Sequence, residues 1–86
     1  MAGVEEIRAG IAVATERAQA GIAAITQASL QLDEARTALM TATQGSGQAD
    51  VAQAHGMLAE ALNNLAGAQA TVQACISSAE GYAARL

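Results

Sequence analysis

Every seventh residue of the first half, starting at Val4, is apolar: Val4, Ile11, Ala18, Ile25, Leu32 and Leu39. The same step through the second half reads Val51, Leu58, Leu65, Val72, Ala79 and Leu86. A seven-residue repeat collects side chains on one face of an α-helix, so each half predicts one long amphipathic helix. The two series mirror each other about Gly45-Ser46-Gly47, so that Val4 pairs with Leu86 and, moving inward, Leu39 pairs with Val51. Antiparallel helices over about residues 3–44 and 47–85, joined by a tight turn at Gly45–Gly47, satisfy that symmetry. The predicted fold class is all-α, a two-helix hairpin forming a single domain over 1–86.

Local signals agree with these limits. Glu5 and Glu6 complement the positive end of the first helix dipole, with Gly3 or Ala2 starting the helix. Gly45 is a natural left-handed stop, Ser46 or Gly47 offers a cap for the second helix, and Asp50 again puts negative charge in a first turn.

A second row should complete the seam. Three residues beyond each member of the primary row stand Ile7, Ala14, Gly21, Ala28, Ala35 and Ala42, then Ala54, Ala61, Ala68, Cys75 and Tyr82. This plus-three row is small, which predicts a close-packed, Ala-rich seam with the helix axes about 8 Å apart. Ile7 facing Tyr82 would widen the open end. Gly10, Gly21, Gly56, Gly67 and Gly81 each cost about 1 kcal/mol relative to alanine in a helix interior, and close helix packing is the expected reason for them.

Seven aliphatic residues lie off that seam: Val13, Ile22, Leu30, Met40, Met57, Leu62 and Ile76. A chain of this length buries only about 60% of its unfolded surface when it folds alone, so further burial is expected. Ile22, Leu62, Ile76, Val13 and Leu30 are the predicted oligomer or partner interface, with a second copy forming an antiparallel four-helix bundle. A partner helix docking on the same stripe is the other occupant considered.

Composition sharpens this picture. Alanine fills 24 of 86 positions and proline none, which favours helix because alanine loses no side-chain entropy there. Eight acidic residues against four arginines leave a net charge of −4 and no basic cluster to neutralise phosphates, so nucleic acid is not an expected partner. Charged and amide residues interrupt every apolar stretch, so membrane insertion is not expected. The N-terminus shows no basic segment followed by an apolar run, and Cys75 is the single cysteine. A cytoplasmic location follows as the expectation.

Candidate chemistry is sparse. His55, the one histidine, has Asp50 and Glu60 five residues to either side, a spacing that puts neither carboxylate on its helix face. Cys75 has no neighbouring base or cation to form a thiolate. No catalytic, metal-binding or cofactor-binding residues are therefore assigned, and the chain is expected not to be an enzyme. Glu5 with Arg8 and Asp33 with Arg36 have the spacing of helical ion pairs.

Two long, Ala-rich, acidic helices about a glycine turn resemble the WXG100 proteins, small helical-hairpin dimers exported by type VII secretion. The turn here reads Gln44-Gly45-Ser46-Gly47-Gln48 in place of Trp-x-Gly, and Tyr82 is followed four positions later by Leu86 in place of an acidic residue. The ending Tyr82-Ala83-Ala84-Arg85-Leu86 also resembles small actinobacterial helical-hairpin proteins. The function read from the residues is a non-enzymatic structural or interaction protein that self-associates through its hairpin. The resemblance implies the alternative, a type VII secretion-associated substrate or chaperone that leaves the cell without a signal peptide.

Overall fold

The computed structural model describes residues 3–86 and contains two helices, α1 at Val4–Ala42 and α2 at Ala49–Ala84. At about 1.5 Å per residue each helix runs for more than 50 Å. The molecule measures 63 × 18 × 16 Å, so the two lie side by side along their whole length as an antiparallel hairpin. Its radius of gyration is 19.4 Å, against about 12 Å for a compact domain of equal length. The hairpin is a rod, in which neither helix has a third element to pack against.

The turn follows from its glycine. Thr43 ends α1, its N–H donating to the Leu39 carbonyl at 3.0 Å. The Ser46 N–H then donates to the Thr43 carbonyl at 3.0 Å, closing a four-residue turn with Gly45 third at φ 82°. A side chain at that φ would be strained. The expected cap moves by one or two residues: Gln48, in extended conformation, is the residue before α2, and no side chain caps the helix. The Ser46 hydroxyl instead accepts the Gln48 N–H at 3.4 Å, which holds the entry into α2.

Burial identifies the rows that form the seam. The primary row is half-buried from Ile11 to Leu39 and from Val51 to Leu86, as the repeat predicts. The second row differs from the expected one. Thr15, Ile22, Ser29 and Thr43 on α1, with His55, Leu62, Gln69 and Ala83 on α2, are half-buried, and Ile76 is fully buried at 4% exposure. These stand four residues beyond the primary row. In the plus-three row only Ile7, Ala28, Ala54 and Ala61 are half-buried, and Ala14, Gly21, Ala35, Ala42, Ala68, Cys75 and Tyr82 are exposed.

Apolar area accounts for the choice. A hairpin seam takes the primary row and one neighbour, and the plus-four row offers Ile22, Leu62 and Ile76, each worth about 1.5–3 kcal/mol when fully buried. The plus-three row offers only Ile7 and Tyr82 at that size. The glycines do not mark close packing within the hairpin either. A Cβ added at Gly10, Gly21, Gly56 or Gly67 would meet no atom within 4 Å, and one at Gly81 would meet only Arg85 Nη1 at 3.8 Å.

Ile11 and Ala83 line one groove near the open end, and Thr43 and Val51 line another beside the turn, so primary-row and plus-four residues border the seam together at both ends.

Candidate functional surface

The five residues expected to form one interface divide into two groups. Ile22, Leu62 and Ile76 lie in the seam between α1 and α2, where Ile76 has almost no surface left to offer a partner. That placement corrects the expectation that they form an outer stripe, and the cause is the move of the seam from the plus-three to the plus-four row. Val13 and Leu30 are exposed at 51% and 56%, and neither belongs to a seam row. The structure does not join the five into a single surface.

Two flanks border the seam. In an antiparallel pair the plus-three rows of both helices lie on one side, and the rows one residue beyond the primary row lie on the other. The grooves confirm the second placement: Ala12 lines one with Glu80, and Met40 lines the other with Ala52. Every residue of these plus-one rows is exposed, and Glu5, Asp33 and Glu80 are among them. None of the twelve charged residues occurs in the plus-three rows. One flank is therefore charged and fully exposed, and the other is charge-free and partly sunk into the seam.

The expected ion pairs form, Arg8 Nη1 to Glu5 Oε1 at 3.7 Å and Arg36 Nη2 to Asp33 Oδ1 at 2.7 Å. Both are exposed and contribute little to stability. Arg8 and Arg36 themselves belong to the plus-four row, and these pairings keep their charges at its edge.

His55 lies in the plus-four row beside the turn. Thr43 Oγ1 donates to the Leu39 carbonyl at 2.6 Å and stands 3.4 Å from His55 Nε2. The Thr43 hydroxyl proton is directed to Leu39, so the ring donates to Thr43 in the tautomer that carries hydrogen on Nε2. The contact ties α2 to the end of α1. A shallow depression of about 360 Å³ opens beside it, lined by Met40, Gln48 and Ala52 among others.

Cys75 is exposed, a correction to its expected place as a compact buried group in the seam. It belongs to the plus-three row, which the hairpin leaves outside. Among the described residues no three His, Cys, Asp or Glu side chains gather at metal-binding distance. No described helix is long and apolar enough to cross a membrane. The chain matches no protein-family model, no curated protein and no solved structure.

Proposed function

We propose that this protein is a non-enzymatic structural or interaction module that self-associates through its hairpin. A homodimer in the cytoplasm, where a lone thiol stays reduced, is the form that fits best. One observation carries the reading: the hairpin exposes 6069 Å² for a mass of 8.6 kDa. A compact monomer of that mass exposes about 4,700 Å², a difference of roughly 1,400 Å². Each side of a standard protein interface covers about 800 Å². With Ile76 the single fully buried residue described, the chain has more uncovered surface than one ordinary interface needs.

Sedimentation equilibrium at micromolar concentration tests this directly. Twice the chain mass of 8.6 kDa is expected. A monomer throughout the concentration range would remove the reading.

A second reading, a secreted substrate or chaperone of the WXG100 kind, draws support from the two long helices and the glycine turn. Recovery from culture medium only when type VII export is intact would favour it.

A further inference from the structure

We propose that the second copy covers the charge-free flank, so that the plus-three rows of two hairpins face each other and each contributes half of a four-helix core. The inference rests on the self-association reading and adds the face through which it occurs.

Three observations select this flank. The first is burial: Ile7, Ala28, Ala54 and Ala61 of the plus-three rows are half-buried, whereas no residue of the plus-one rows is. The apolar stripe of each helix is therefore lopsided and wraps from the seam towards one side only. Bundle helices carry such a stripe, two seam rows and one flanking row wide, because each packs against two neighbours.

The second is charge. Stacking two hairpins through the plus-one rows would bring Glu80 of each copy, together with the Glu5–Arg8 and Asp33–Arg36 pairs, into one interface. Desolvating those ion pairs and the Glu80 carboxylates opposes association. Stacking through the plus-three rows brings no acidic residue into the interface and leaves only Arg17 and Arg85, in the row bordering it, at its edge. For a molecule of net charge −4 meeting an identical partner, that is the arrangement with least repulsion.

The third is area. The flank runs the length of the rod, and one long side measuring 63 × 18 Å presents about 1,100 Å² in projection, more than the ~800 Å² share of a standard interface. A second rod of equal length can cover it end to end. Tyr82, 46% exposed at the open end of this flank, and Met57, 58% exposed in the bordering row towards the turn, are the large side chains a partner would cover.

The test compares two double variants on the two flanks, each made at exposed alanines so that the seam is untouched. Ala35→Arg with Ala68→Arg alters the plus-three flank, and Ala59→Arg with Ala66→Arg alters the plus-one flank of α2. Arginine keeps helix propensity close to that of alanine, and circular dichroism checks that each variant stays helical. Sedimentation equilibrium should give a dimer for the wild type and for the plus-one variant, and a dissociation constant at least tenfold weaker for the plus-three variant. Independently, the exposed Cys75 thiol of the wild type should react with a thiol reagent at least tenfold more slowly above the dissociation constant than below it. A wild-type monomer would overturn self-association itself. A wild-type dimer with an unaffected plus-three variant, or with Cys75 equally reactive in both regimes, would leave self-association standing and overturn the choice of flank.

Discussion

Ile76 and His55 occupy the same row of α2, three heptads apart, and meet opposite surroundings. Ile76 is 4% exposed, while His55 is half-buried with Nε2 3.4 Å from the Thr43 hydroxyl. Non-directional burial at the first stabilises the seam, and at the second a polar ring stands beside the end of α1, where a contact can favour one register over another. A long seam of aliphatic and alanine side chains tolerates slippage by a heptad, because each layer resembles the next. A single polar contact beside the turn discriminates between registers, much as one polar seam residue does in coiled coils.

Replacing the two residues should therefore have effects of opposite sign. Ile76→Ala removes the best-buried side chain from a thin core and should destabilise the hairpin by about 2–3 kcal/mol, at the low end of the range for large-to-alanine changes. For a domain of this size that lowers the melting temperature by roughly 10 °C or more, read by circular dichroism. A shift below a few degrees would mean that Ile76 is not the centre of the core. At the turn, Gly45→Ala forces a side chain into φ 82° and should cost about 1–2 kcal/mol in the same assay.

His55→Leu should raise stability by up to about 1 kcal/mol, since a half-buried polar ring gives way to an aliphatic side chain. Thr43 loses its contact with the ring but keeps its bond to the Leu39 carbonyl, so no orphaned proton is left behind. If the contact fixes register, this more stable variant should show additional amide resonances in NMR spectra from slipped hairpins. A single set of peaks would reduce His55 to a tolerated polar residue.

The helices, their antiparallel order and the turn were legible because the heptad and the glycines act within a few residues of each other. The ends of α1 at Val4 and Ala42 fall within two residues of the expected 3–44, and Gly45 is the expected left-handed stop. The second row was not legible in the same way. A heptad allows its partner row to be three or four residues further on, and small residues at Ala14, Gly21 and Ala28 suggested close packing at the first. The structure sides with Ile22, Leu62 and Ile76, and the signal for them in the sequence is the greater summed apolar size of the plus-four row. The contact of Thr43 with His55 depends on relative sliding of the helices, which no local pattern encodes.

The smallest expected effect separates the two outer surfaces of the rod most finely. Gly21 belongs to the charge-free flank and Gly67 to neither flank nor seam, yet both are interior helix positions where an added Cβ meets no atom within 4 Å. In an isolated hairpin Gly21→Ala and Gly67→Ala should stabilise alike, by up to about 1 kcal/mol, because alanine is the better helix former and nothing obstructs it. Covering the plus-three flank with a second copy breaks that equality. Gly67→Ala keeps its gain at every protein concentration, whereas Gly21→Ala loses it once the dimer forms, since its Cβ then enters an interface whose backbones approach through small residues. Urea unfolding of both variants, well below and well above the wild-type dissociation constant, measures the difference. Equal gains at both concentrations would mean that no partner backbone comes close to Gly21, and the absent side chain there would reflect nothing in the assembly.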